Sequence, residues 1–133
     1  MMLLDTHVLI WLDEGSSRLG KKALQVINTE FAAGNLSVSA ISFWEISMLI
    51  QKERLGMRLA VDVWRKELLE SGLREIPLDG AIAIRAGGLL EFHGDPADRL
   101  IVATALQTAS TLATADQKIL VWKDLRLKID AHR

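Results

Sequence analysis

Short apolar runs alternate along this chain with longer stretches in which apolar residues recur every three to four positions. That alternation predicts strands interleaved with helices. "MLLD" at 2–5 reads as a first strand, and "HVLIWLDE" at 7–14 as a short helix. "SSRLGKKALQVINTEFAAGN" (16–35) is expected to be a helix with serine at its start and Gly34 near its end. "LSVS" (36–39) is a second strand, followed by a helix in "AISFWEISMLIQKERLG" (40–56). "AVDVWRKELLESG" (60–72) is amphipathic, with Val61, Trp64, Leu68 and Leu69 at helical spacing. "LREIPLD" (73–79) supplies a third strand and "AIAIRAGGLLEF" (81–92) a helix, and Asp95 opens the next one. "TLATAD" (111–116) is a fourth strand, "QKILVWK" (117–123) a short helix, and "LRLKIDA" (125–131) a last strand at the sheet edge. The order predicts an α/β fold around a mostly parallel sheet of about five strands. Repeats, low-complexity tracts and linkers are absent, so one domain over 1–133 is expected.

Composition narrows the class. Half of the 133 residues are apolar, enough for a real core, yet no apolar run reaches the length of a membrane span. The opening segment has no basic region and carries Asp5 inside its apolar run, so no signal peptide is expected and a cytoplasmic location follows. Cysteine is absent, which removes disulfides and thiolate metal sites. A net charge of −1 gives no overall basic character, although a local basic rim would suffice to hold nucleic acid.

The acids carry the candidate chemistry. Asp95, followed by Pro96, is fully explained as a helix N-cap. Asp98 is less comfortable, because it shares a helix face with Ile101, Val102 and Ala105, where a lone charge is costly. Asp5 and Asp116 end the first and fourth strands, and each could be a cap alone. Glu45 lies among Phe43, Trp44, Ile46, Met48, Leu49 and Ile50; it either faces a solvent stripe with Ser42 and Gln51 or belongs to a site. Working sites in open α/β sheets gather beyond the carboxyl ends of the strands. Asp5, Glu45, Asp98 and Asp116 can therefore converge there, and together they would repel unless cations joined them. Oxygen ligands suit Mg2+ or Mn2+ better than Zn2+, and such ions suit phosphoryl chemistry. His7, His93 and His132 have no ligand-like spacing and read as surface or capping residues.

"LLDTHVLIWL", "VSAISFWEI", "DPADRLIVATA" and "LATAD" resemble, in this order, the conserved blocks of PIN-domain proteins, most closely the VapC-like toxins of bacterial toxin–antitoxin pairs. The likeness runs over essentially the whole chain. It implies a three-layer α/β/α PIN fold and an Mg2+- or Mn2+-dependent ribonuclease that leaves a 5′-phosphate and a 3′-hydroxyl. Carried over by position, Asp5, Glu45, Asp98 and Asp116 are the catalytic, metal-binding acids. Thr114 could orient a carboxylate or bind water or phosphate, and Thr6 matches a small hydroxyl that often follows the first acid. His7 stands where the broader family commonly has asparagine. Asp95 is at most a supporting group. Lys52, Arg54, Arg58 and Arg99 are candidates for a phosphate-binding rim, with Arg99 favoured because it adjoins Asp98; for the others a solvated helix end competes.

The resemblance also implies an antitoxin whose segment occupies a groove near the active site, and a homodimer. Trp11, Trp44 and Trp64 could serve an interface, with core packing the stronger competing use of each. A receiver domain would need an acidic pair after strand one, and a haloacid-dehalogenase-like phosphatase would need Asp-x-Asp where His7 now stands. The remaining alternative is a PIN-like protein that binds RNA or an antitoxin with little or no catalysis, and the presence of all four acids argues against it.

Overall fold

The computed structural model describes residues 1–133. Its strands are β1 (Met2–Leu4), β2 (Leu36–Ser39), β3 (Arg74–Ile76), β4 (Thr111–Thr114) and β5 (Lys128–Asp130). Its helices are α1 (Thr6–Glu14), α2 (Lys21–Ala32), α3 (Ala40–Gln51), α4 (Val61–Ser71), α5 (Gly80–Gly87), α6 (Pro96–Thr108) and α7 (Gln117–Leu120). Each strand is separated from the next by at least one helix, and a helical crossover is what permits parallel pairing. The sheet is parallel throughout, in the order β3-β2-β1-β4-β5, with the last strand at one edge as expected.

This order matters for the site. From central β1 the chain moves outward through β2 and β3, then returns to the other side of β1 for β4 and β5. The crossovers therefore diverge between β1 and β4, and a crevice opens beyond the carboxyl ends of these strands. Leu4 is in register with Ala113, so the residues following both strands meet at that crevice.

Alternation along the strands sorts the core into two layers. Met2 and Leu4 face one side with Val38, against Val8 of α1, Ile27 of α2, Ile46 of α3 and Trp64 of α4. Leu3 faces the other side with Leu112, against Ile101 and Val102 of α6 and Ile119 of α7. The sheet thus lies between two helical layers, the α/β/α arrangement expected. Helix α5 stands on α6 through Ile82 and Ala86 against Ala103.

Three helices differ most from the sequence reading, the simplest case being α3, which stops at Gln51 rather than near Gly56. Helix α2 starts at Lys21, not Ser16, and its first turn lacks a side-chain cap. The C-terminal segment supplies the missing acceptors: Gly20 N–H donates to Ala131 O at 2.8 Å, and Lys22 N–H to Arg133 O at 2.9 Å. A Cβ at Gly20 would collide with the backbone of His132 and Arg133, which is why glycine stands there. Leu19 is buried although it lies outside the helix, so the apolar spacing runs through the boundary and hides it.

Helix α5 stops at Gly87 rather than running to Phe92. The Gly87–Gly88 pair is a poor helix former, and Arg99 from α6 captures the released carbonyls. Its Nε donates to Ala86 O (2.9 Å), Nη1 to Phe92 O (3.1 Å) and His93 O (3.2 Å), and Nη2 to Leu89 O (3.0 Å) and Gly87 O (3.5 Å). The arginine expected on a phosphate rim is instead the post on which residues 88–95 are hung. Lysine keeps the charge but has no planar fork to span these acceptors. Arg99→Lys is expected to cost about 2 kcal/mol of stability in urea unfolding; an unchanged midpoint would show that the fork is dispensable.

Candidate functional site

The crevice is built around Asp5. Its backbone N–H continues the sheet by donating to Ala113 O at 3.0 Å. Its carboxylate accepts the Thr6 N–H on Oδ1 (2.8 Å) and the Thr114 hydroxyl on Oδ2 (2.6 Å). Asp5 therefore does cap α1, but it is only 6% exposed, unlike an ordinary surface cap. Burial pushes its carboxyl above the usual range, against a smaller opposing pull from Thr114 and Thr6. Thr114 also accepts the Asp116 N–H at 3.1 Å, so one buried hydroxyl fixes the first acid and the backbone of the fourth.

Asp116 caps α7, taking the Lys118 N–H on Oδ1 at 2.8 Å. Asp95 caps α6 through the Asp98 N–H at 3.2 Å, as its sequence context predicts. Asp98 lies half-buried in the first turn of α6, with Oδ2 hydrogen-bonded to His93 Nε2 at 2.7 Å. Burial drives its pKa up to about 6; His93 pulls it down, and Asp5, Asp95 and Asp116 add to the rise.

Glu45, in α3, has its Oε1 buried with no hydrogen-bond partner. Burial raises its carboxyl too; the nearby Thr6 hydroxyl opposes the rise, although its 2.8 Å hydrogen bond is to Ser42 Oγ. The solvent-stripe reading fails here, because Ser42 is fully buried.

Asp5, Glu45, Asp98 and Asp116, with Asp95, line one open cleft of about 630 Å³. The same cleft takes in His7 and His132 at its wall. Three buried or half-buried carboxyls with raised pKa values and one orphaned oxygen thus concentrate costly negative charge in this cleft. His93, Asp98 and Asp116 each offer a ligand atom, and these atoms lie within 4.8 Å of one another. His93, read from sequence as a surface or capping residue, is part-buried here and hydrogen-bonded to Asp98. Its loop is folded by Arg99, and nothing in the local spacing reveals that approach.

The rim differs from expectation as well. Arg99 is committed to carbonyls and Lys52 lines none of these clefts, whereas Arg18, not singled out from sequence, is the one lysine or arginine at the acidic cleft. A second cleft adjoins it, sharing His7, Trp11 and Arg18 and adding Arg54. A third shares Ile10, Glu14 and Leu55 with the second and adds Arg58 over a floor that includes Met57, Leu59 and Trp64. These clefts form a continuous groove along α1, leading away from the acids. Trp11 and Trp64 are core residues that also line this groove, whereas Trp44 is 53% exposed.

Comparison with known proteins gives the following likenesses. The PIN domain family model matches residues 2–123. Ribonuclease VapC22 of Mycobacterium tuberculosis (strain ATCC 25618 / H37Rv) is 37% identical over 119 residues, which cover 89% of this chain and 88% of that protein. A toxin–antitoxin complex from Klebsiella pneumoniae contains a chain that matches with a TM-score of 0.67 at 20% identity, covering 98% of both chains. VapBC2 from Rickettsia felis, bound to a DNA fragment from its promoter, matches with a TM-score of 0.67 at 16% identity over 97% of both chains. At these identities the structural likeness concerns the fold.

The raised carboxyls set a pH dependence for the cation-free protein. A group whose pKa is higher in the folded state contributes stability below its unfolded value and loses it as pH rises through the folded value. For Asp98 that window runs from its ordinary 3.8 to about 6. In EDTA, the melting temperature is expected to gain from a neutral Asp98 at low pH and to lose that gain across this window. Asp98→Asn, permanently uncharged, should flatten the loss. Parallel wild-type and variant profiles would show that Asp98 is not destabilised in the fold.

Proposed function

This chain belongs to the PIN domain family, and from that premise we propose that it is a divalent-metal-dependent endoribonuclease, the toxin of a bacterial toxin–antitoxin pair. The observation that carries the proposal is the single cleft into which β1, α3, α6 and the β4–α7 junction deliver Asp5, Glu45, Asp98 and Asp116. The donor chemistry fits Mg2+ or Mn2+: clustered carboxylates, with one oxygen of Glu45 lacking any other partner. Such an ion, when bound, lowers the pKa of a water and neutralises phosphate oxygens.

The chain's own residues prepare the rest. Thr114 and the Thr6 N–H hold Asp5 in one orientation, so the carboxylate is pre-arranged rather than ordered on binding. Asp98, Asp116 and Glu45 complete the acidic ring, and Asp95 supports it by fixing the first turn of α6. Arg18 at the mouth, with Arg54 beyond it, offers the positive charge that would bring RNA phosphates to an acidic cleft. In the hydrolysis proposed, water adds its hydroxyl to phosphorus, the P–O3′ bond breaks, and O3′ takes the proton. A 5′-phosphate and a 3′-hydroxyl result, and no side chain needs to act as nucleophile.

The groove along α1 suits a protein segment in its outer part, where Leu55, Met57, Leu59 and Trp64 give an apolar floor edged by Asp13, Glu14 and Glu67. An antitoxin segment lying there would reach the acidic cleft. We take residues 1–133 as one domain acting in the cytoplasm, where its RNA is found, and as one half of a homodimer to which the exposed Trp44 could contribute. No helix is long and apolar enough to cross a membrane.

The test is cleavage of total cellular RNA by purified, antitoxin-free protein. With Mn2+ or Mg2+, discrete fragments are expected, and EDTA should abolish them. Asp5→Asn and Asp98→Asn should each reduce the rate by about a hundredfold or more while leaving the protein folded. Cleavage that survives EDTA or both substitutions, or none at all in the wild type, would contradict the proposal.

A further inference from the structure

We propose that His93 is a nitrogen donor to the metal centre, and that Arg99 is the positioning residue that delivers it. This rests on the metal-dependent reading above and changes its chemistry. The donor set becomes mixed nitrogen and oxygen instead of oxygen alone.

The placement of His93 is built. Residues 88–95 form no regular element, yet the Arg99 guanidinium holds carbonyls on both sides of the turn, including that of His93 itself at 3.2 Å. The His93 ring lies against Phe92 with centroids 4.3 Å apart, and Phe92 meets the edge of Trp122 at 5.1 Å. Trp122 closes the arrangement by donating Nε1–H to Leu90 O at 3.1 Å. Side chains from α6 and the segment after α7 thus fix the loop, and the imidazole emerges from it toward the acids.

The three atoms lie close enough for a shared ion to gather them with small side-chain shifts, replacing the hydrogen bond between His93 and Asp98. His93 Nε2 is 2.7 Å from Asp98 Oδ2, and both lie within 4.8 Å of a carboxylate oxygen of Asp116. Ligands at about 2.1 Å from one octahedral ion are about 3 Å apart on adjacent corners and about 4.2 Å on opposite ones. A histidine serving only to offset the charge of Asp98 would need no second acid within ligand range. The other two histidines line the wall of the acidic cleft but share no such group of ligand atoms with two acids. His7 is exposed, and His132 packs against Trp11 with Nδ1 3.2 Å from Arg18 O.

An imidazole ligand favours a transition ion over Mg2+, which seeks oxygen. His93→Ala is therefore expected to weaken Mn2+ binding in calorimetry by about tenfold or more, and Mg2+ binding by much less. Pulsed electron paramagnetic resonance of the Mn2+-loaded protein should show nitrogen coupling. A His7→Gln/His132→Gln double variant should retain that coupling, since His93 is then the only histidine left. Arg99→Lys should weaken the coupling, a change that a merely stabilising arginine would not produce in folded protein. Unchanged Mn2+ affinity in His93→Ala, or no nitrogen coupling in the double variant, overturns the assignment; weaker affinity without coupling also overturns it and leaves His93 as a support for Asp98. A wild type that binds no Mn2+ at all sinks the metal-dependent reading itself, and this inference with it.

Discussion

Everything at this sheet edge follows from the electrostatic cost of holding several carboxyls together, out of full contact with water. Burial raises Asp5, Glu45 and Asp98 above their ordinary pKa values, and for each of the three a neighbouring acid adds to the rise. A fold built only for stability would not keep such a cluster, since each charge is disfavoured by desolvation and again by its neighbours. The hydrogen bonds that Asp5 and Asp98 receive reduce this cost without removing it. The divalent cation proposed above would reverse its sign, because the charge density that is costly to the carboxyls alone would be what holds the ion.

The scaffold gathers the acids with few residues. Parallel pairing through helical crossovers makes the strands diverge beside β1, and Leu4 in register with Ala113 brings the exits of β1 and β4 together. Thr114 then couples those exits chemically, since it donates to Asp5 and accepts from the backbone of Asp116. On the far side, Asp95 and Arg99 flank Asp98 in sequence and serve it from opposite directions. Asp95 fixes the helix start through its carboxylate, and Arg99 fixes the preceding loop through five carbonyls. The run "DPADR" is thus a compact positioning device around one central acid.

The sheet was legible from sequence because its strands are short apolar runs separated by helical spacing, a signal local to each element. The convergence of the four acids on one cleft was legible because each sits where an element starts or ends, or interrupts an apolar helix. Other features depend on contacts distant in the chain. The start of α2 is set by Ala131 and Arg133, more than a hundred positions away, while buried Leu19 prolongs the helical pattern before it. Arg99 carries the charge expected of a phosphate ligand, and only the folded loop reveals that its donors are taken. His93 looks like an isolated polar residue until that loop turns it onto Asp98. Arg18 belongs to an ordinary turn and reaches the cleft through the packing of the C-terminal segment, with His132 Nδ1 beside its carbonyl.

The most direct test of this account is calorimetric unfolding at neutral pH of the wild type and Glu45→Gln, each in EDTA and in excess Mn2+. The acids are expected to oppose the fold in the absence of divalent cation and to stabilise it in its presence. Glu45→Gln should therefore melt above the wild type in EDTA. The wild type should gain about 2.7 kcal/mol at a hundredfold excess of Mn2+ over its Kd, and the variant distinctly less at the same concentration. A Glu45→Gln protein that melts below the wild type in EDTA, together with a wild type indifferent to Mn2+, would mean that the carboxyls are ordinary helix caps and structural acids.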